Sequence, residues 1–220
     1  MTHGHSALAA GLFLAFAGAC GDAPVRVEVP RGASESRAAP FPDDERAWLR
    51  YHSVRLRISV PLPDGKTWRI DDHSRPELVA RHAASQSELV IASFGESELM
   101  NRATCEEKAR EKNLVPTAAL RTLEDGRTVG PAAYDTRLWV AIEAGKSPAS
   151  PLTGHVLVFG ALIRHCIFMH FSSEVPSGQD EGALSSRLAV AKVRLLGGLT
   201  LDPPRTTGDA DVPREKDLKK

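Results

Sequence analysis

The chain has 220 residues, and its 28 Lys and Arg residues balance its 28 Asp and Glu residues, so its formal net charge is zero. Nucleic-acid binding depends on a basic surface, which a neutral chain does not predict. Aromatic residues make up 5% of the chain, too few to predict a platform for stacked bases. The length suits one ordinary domain with tails, and we expect no nucleic-acid partner.

Residues 1–19 have the features of a signal peptide. They contain no Asp, Glu, Lys or Arg, and their apolar segment Ala7–Ala19 ends in small residues. The sequence AGAC, which ends at Cys20, resembles the lipobox of bacterial lipoproteins. The resemblance implies that residues 1–19 are removed and that Cys20 carries acyl chains, which would anchor the chain stably in a membrane. The alternative is an ordinary secretory signal in which Cys20 has no special role.

The residues after Cys20 bear on location and on the link to the domain. Gly21 stands where an aspartate would direct retention in the inner membrane, so resemblance to enterobacterial sorting rules implies the outer membrane. The lipoprotein would then face the periplasm or the cell surface. Residues 20–43 are rich in Pro, Ala, Ser and Arg and lack periodicity, which predicts a flexible tether.

We assign residues 44–201 to one globular domain. Apolar and polar residues alternate from Tyr51 to Val60, which predicts a single strand. Asp43 and Asp44 are predicted to cap a short helical turn before it. Further strands, bounded by turn residues, are predicted at 68–71, 77–84, 88–94 and 133–143, with a turn at Asp125-Gly126 and a short edge strand at 199–201.

Two helices are predicted. The first runs from Ser97 to Asn113, with an acidic residue near its start and basic residues towards its end, as the helix dipole favours. Leu99 is expected on its buried face. Residues 176–180 lead into the second, which ends at about Leu196 and carries one apolar stripe at helical spacing. Residues 202–220 are polar and predict a disordered tail.

The stretch Gly154–Ser173 holds the densest apolar run after the signal segment. Arg164 in its middle disfavours a membrane span, since an arginine at the bilayer centre costs about 2.5 kcal/mol or more. Its Val, Ile and Phe content favours two strands joined by a turn near Ala161–Arg164. Both strands are apolar on both faces, so we expect the hairpin at the centre of a sheet that is covered on each side.

This order of elements resembles the PsbP-like α/β/α sandwich, which also occurs in DcrB-type bacterial lipoproteins. The resemblance rests on the opening strand that ends in Pro61-Leu62-Pro63, the mid-chain helix after a strand pair, Gly154 at the start of the central hairpin, and the closing helix before Leu199-Thr200-Leu201. It covers about residues 47–201. It implies an α/β (α+β) fold with a single, mainly antiparallel sheet flanked by helices.

Three cysteines are present. If Cys20 is acylated, Cys105 and Cys166 remain, an even number in an oxidising compartment, and we predict a disulfide between them. A helix packed on the sheet could bring their Cα atoms within the roughly 4.4–6.8 Å that the bond requires. The alternative is a pair of buried free thiols.

His155 and His170 lie in the central hairpin with Cys166. If the turn is centred between Leu162 and Ile163, His155 pairs across from His170, and with a nearby carboxylate the two histidines are weak candidates for zinc ligands. Cys166 with a histidine base is a candidate nucleophile. A structural role for the histidines is the simpler expectation, so no metal site is assigned.

The remaining chemistry is sparse. The chain has no nucleophile elbow, phosphate-binding loop, dinucleotide fingerprint or zinc-protease motif, and we expect no cofactor. Arg50, Arg55, Arg57 and Arg69 could form a basic stripe on a solvated strand face.

We therefore expect a non-catalytic, lipid-anchored cell-envelope protein that serves as a binding or accessory module for an envelope partner. Its partners would be the membrane, through the acyl chains on Cys20, and another protein. One alternative is a thiol- or metal-dependent hydrolase that uses Cys166 with His155 or His170. Another is an immunity-type protein directed against a secreted effector.

Overall fold

The computed structural model describes residues 40–42, 44–127, 130–143, 147 and 149–202. The predicted signal peptide, Cys20, most of the predicted tether and the C-terminal tail from residue 203 lie outside these ranges. In the described part of the chain, no helix is both long and apolar enough to cross a membrane.

Seven strands form one antiparallel sheet in the order β3-β4-β5-β9-β8-β7-β6. The strands are β3 (Trp68–Asp71), β4 (Leu78–His82), β5 (Ser87–Gly95), β6 (Leu120–Arg127), β7 (Asp135–Glu143), β8 (Leu152–Leu162) and β9 (His165–Val175). The hairpin β8–β9 is at the middle of the sheet, and its side chains are buried on both faces. The prediction of a central, doubly covered hairpin is therefore confirmed.

One face of the sheet is covered by helix α2 (Glu181–Val190) and a π-helical segment (Ala191–Leu196) that continues it. The predicted apolar stripe of this helix is buried, and it packs against the side chains of β8 and β9 that point to this face. Gly154 of β8 lies directly beneath α2, and a Cβ atom there would come within 2.7 Å of Cδ1 of Leu188. The glycine thus permits the close approach of helix and strand.

The opposite face is covered in part by helix α1 (Arg102–Glu111). The helix begins five residues later than predicted, because the side chain of Asn101 accepts hydrogen bonds from the amides of its first turn. The residues before it are not helical, and the Met100 amide donates to the carbonyl of Ile163 in the β8–β9 turn. Leu99 is 73% exposed, so the prediction that it lies on a buried helix face was wrong. A mainly antiparallel sheet flanked by helices confirms the predicted α+β fold class, but the predicted single sheet is accompanied by a second, smaller one.

A small second sheet has the order β1-β2-β10, with β1 (Trp48–Ser53), β2 (Ile58–Pro63) and β10 (Thr200–Leu201). The prediction of one strand from Tyr51 to Val60 was wrong, because the chain reverses between Ser53 and Ile58, which face each other in the pairing. Arg57 takes a positive φ of 56° in this turn. Because four residues separate them, Ser53 and Ile58 lie on the same face of this sheet and are both buried, whereas a continuous strand would place them on opposite faces.

Candidate functional site

The pairing of β8 with β9 determines where the two candidate histidines lie. His155 faces Ser172, and His170 faces Leu157. The predicted pairing of His155 with His170 was therefore wrong by two residues, because the turn is centred between Ile163 and Arg164. A shift of two residues keeps each side chain on its predicted face.

The histidines nevertheless touch along the diagonal of the hairpin. Nδ1 of His155 lies 3.0 Å from Nε2 of His170, and the ring centroids are 5.2 Å apart. On its other side, Nε2 of His155 lies 3.2 Å from Oε1 of Glu143 at the end of β7. Sequence reasoning foresaw a nearby carboxylate but did not identify Glu143.

This chain of contacts specifies the positions of the protons. The Glu143 carboxylate accepts a hydrogen bond, so His155 carries its proton on Nε2 and its Nδ1 is an acceptor. His170 must then donate through Nε2, which leaves a lone pair on its own Nδ1. Among the described residues, no hydrogen-bond partner is found for that nitrogen.

Both rings are held in the neutral form that this arrangement requires. Burial lowers the pKa of His155, although the neighbouring Glu143 carboxylate opposes the shift. Burial also lowers the pKa of His170, to about 3, and the adjacent His155 adds to the effect. At neutral pH the pair therefore acts through hydrogen bonds and not through positive charge.

His170 opens onto a groove of about 510 Å³ on the face of the sheet that α1 covers only in part. Val79, Val90 and His170 are neighbours across β4, β5 and β9 and form its floor. The segment that follows α1, residues 112–117, forms one wall. Charged side chains of both signs also line the groove: Arg75, Glu77, Glu88 and Lys112.

The structure joins Cys105 on α1 to Cys166 on β9 by a disulfide, with their Cα atoms 5.4 Å apart. Both residues are fully buried. While this bond is intact, Cys166 has no thiolate to act as a nucleophile. His170 is also four residues away on the same strand, about 13 Å along it, which is too far for a thiol–base pair.

The described residues contain no set of side chains suited to bind a metal ion. In the part of the chain that the structure describes, no group of three or more His, Cys, Asp and Glu residues could hold a metal ion. The two weak zinc candidates, His155 and His170, direct their ring nitrogens at each other.

The predicted basic stripe does not form one continuous face. Arg50 lies on β1 and donates to the carbonyl of Gly198, 3.3 Å away. Arg55 lies in the β1–β2 turn and forms an ion pair of 3.0 Å with Asp72. Arg69 belongs to β3 in the other sheet.

A buried arginine on α2 was not foreseen. Arg187 is 0% exposed, and its Nη1 lies 2.9 Å from the carbonyl of Ser85 and 3.1 Å from Oγ of Ser173. It also lies 3.3 Å from the carbonyl of Glu174. These contacts connect the helix to the β4–β5 turn and to the end of β9.

The fold and the contacts among Glu143, His155 and His170 define an α+β protein whose seven-stranded antiparallel sheet is flanked by helices and bears a groove with a histidine in its floor. No family model and no curated protein matches the sequence. Among solved structures, the chain is similar to LpqN of Mycobacterium tuberculosis, described as involved in cell envelope biogenesis, with a TM-score of 0.39 and 11% identity over 71% of this chain and 91% of LpqN.

A second similar structure is a protein from Bacteroides thetaiotaomicron, with a TM-score of 0.40 and 10% identity over 70% of this chain. The matched part is 48% of that protein, so the chain spans about half of its length. Neither similarity assigns this chain to a family.

Proposed function

We propose that this chain is a lipid-anchored protein of the cell envelope and that its domain is a non-catalytic binding module for an envelope partner. The distribution of its three cysteines carries the proposal. Cys105 and Cys166 are joined inside the domain, as suits an oxidising compartment. Cys20 precedes the domain in the sequence and ends the segment AGAC, which resembles a lipobox.

The groove is the proposed binding surface of this module. Its floor is apolar at Val79 and Val90, its rim carries charges of both signs, and His170 contributes an uncharged acceptor. Such a surface suits a polypeptide segment that brings apolar side chains, charges and at least one hydrogen-bond donor. The bonded state of Cys166 supports binding in preference to thiol chemistry.

The anchor is tested by the intact mass of the protein extracted from membranes, measured before and after reduction and alkylation. We expect a chain that begins at acylated Cys20 and in which two further cysteines become alkylated only after reduction. A chain without acyl groups would refute the anchor. If two cysteines react without reductant in the unfolded protein, the inference that the protein resides in an oxidising compartment is refuted.

Partner binding is tested with a charge placed on the groove floor. We expect Val90→Arg to abolish recovery of an envelope protein that co-purifies with the parent chain after cross-linking in intact membranes. Val193→Arg is the matched control, since Val193 is 64% exposed on the π-helical segment that covers the opposite face of the sheet. Equal recovery with both variants would exclude the groove as the binding surface.

A further inference from the structure

The turn between β8 and β9 contains an unexpected residue. It has two residues, Ile163 and Arg164, and Ile163 has a φ of 54°. In a two-residue hairpin turn, glycine or asparagine is the usual occupant of a position with positive φ. A β-branched residue in this conformation is strained. Packing does not require an isoleucine here, because its side chain is 66% exposed.

The exposed isoleucine is not isolated. Leu162 beside it is 36% exposed, and Leu99 on the neighbouring loop is 73% exposed. The two loops are joined by the 2.6 Å hydrogen bond from the Met100 amide to the Ile163 carbonyl. We call Leu99, Leu162 and Ile163 the apolar tip. Single exposed apolar residues are common on proteins, whereas a cluster of them marks a surface that is covered by something else.

We propose that the apolar tip inserts into the lipid bilayer to which the chain is anchored and so orients the domain on the membrane. This proposal rests on the proposed function, because it requires the anchor at Cys20. Leu162 and Ile163 lie at the apex of the hairpin and Leu99 lies on the loop bonded to it, so lipid could surround these three exposed side chains. The tether makes contact with the membrane intramolecular. An affinity for lipid that is too weak to hold a free protein on the membrane is therefore sufficient to orient the anchored domain.

The length of the chain allows the anchor and the apolar tip to reach the same bilayer. Phe41, near the start of the described chain, packs against Phe171 with ring centroids 6.1 Å apart. Phe171 is eight residues from Ile163, about 26 Å along the strand. Pro40, where the described chain begins, follows Cys20 by 20 residues, which span at most about 70 Å.

The charges beside the apolar tip also fit a lipid surface. Arg164 and Glu98 are both exposed next to it and carry opposite charges, and Glu96, whose amide donates to the carbonyl of Arg164, adds a further negative charge. The tip therefore has no excess of positive charge, which suits a zwitterionic headgroup layer and does not require anionic lipid. A phosphatidylcholine vesicle is accordingly the appropriate probe.

Tryptophan reporters test the insertion. Leu99→Trp places an indole in the apolar tip, and Val54→Trp places one at an equally exposed site outside it, since the parent side chains are 73% and 72% exposed. Each full-length acylated variant is reconstituted into phosphatidylcholine vesicles with and without brominated acyl chains. After subtraction of the parent emission, we expect a blue shift and bromolipid quenching for Leu99→Trp, and neither for Val54→Trp.

A second variant separates insertion from stability. Ile163→Gly, combined with Leu99→Trp, should raise the unfolding temperature and at the same time reduce the quenching. Acylated protein in which both reporters are quenched equally, or neither is quenched, would overturn the insertion and leave the anchor standing. An intact mass without acyl groups would overturn the proposed function itself.

Discussion

Reduction of the disulfide should lower the free energy of unfolding by about 4 kcal/mol. Cys105 and Cys166 are separated by 61 residues, and closing a loop of that size removes ~14 cal/mol/K of entropy from the unfolded chain, or ~4 kcal/mol at 25 °C. Both cysteines are fully buried among apolar side chains, so reduction leaves two small apolar residues in place. The loss is therefore expected to arise mainly in the unfolded state.

The assay is equilibrium unfolding in urea, with and without reductant, on a Cys20→Ser background in which only these two cysteines remain. Reduction should lower the midpoint and raise the dependence on urea, because the unfolded chain becomes more expanded. The Cys105→Ala/Cys166→Ala variant should lose at least as much stability and should no longer respond to reductant. A change of less than about 1 kcal/mol on reduction would refute this account of the bond.

Three further variants test other parts of the structure. Ile163→Gly should raise the free energy of unfolding by about 1 kcal/mol, because glycine adopts the left-handed conformation of this position without the steric cost that a β-branched residue carries. An unchanged temperature of thermal unfolding would contradict that strain. Arg187→Met should cost about 2 kcal/mol in urea unfolding, because the carbonyl of Ser85 loses a buried donor; an unchanged midpoint would show the network to be dispensable. The pKa of His170 is lowered by burial to about 3 in the folded protein, whereas in the unfolded chain it is near 6.5. The stability that the neutral ring contributes is fully present above pH 6.5. It is lost as the pH falls from 6.5 to 3, because the unfolded chain binds a proton there that the folded protein does not. His170→Leu should therefore flatten the fall in stability between pH 6.5 and 3, and parallel curves would contradict the shift.

The central hairpin could be predicted from sequence because its pattern has one physical solution. Strands that are apolar on both faces must be covered on both faces, and Arg164 excludes a membrane span. The same pattern does not locate the turn. Moving the turn centre by one residue changes the pairing by two and leaves every side chain on its face, so alternation could not distinguish the predicted register from the observed one.

Other features were not predicted because they depend on contacts between distant parts of the chain and not on the local sequence. Asp125-Gly126 was predicted to be a turn, but both residues lie within β6 and pair with β7. Pairing with a neighbouring strand overrides local preference there. Nothing in the local sequence indicates that Arg187 is buried, because its burial depends on carbonyls that only the folded chain brings together. The groove likewise depends on where α1 ends over the sheet, which is a property of packing and not of local sequence.

The disulfide and the groove are connected through α1. The buried side chains of that helix are Cys105 and Ala109, a small apolar surface for ten residues. The bond to Cys166 therefore supplies much of what holds α1 over β9. Residues 112–117 continue from the helix and form a wall of the groove, while Lys112 extends over the ring of Phe94 on β5 with its Nζ 4.8 Å from the ring centroid. Breaking the bond leaves the packing of the closed state in place but makes local opening of α1 and of this wall easier, because the opened segment is no longer tied to β9. An oxidising compartment would therefore also favour binding at the groove.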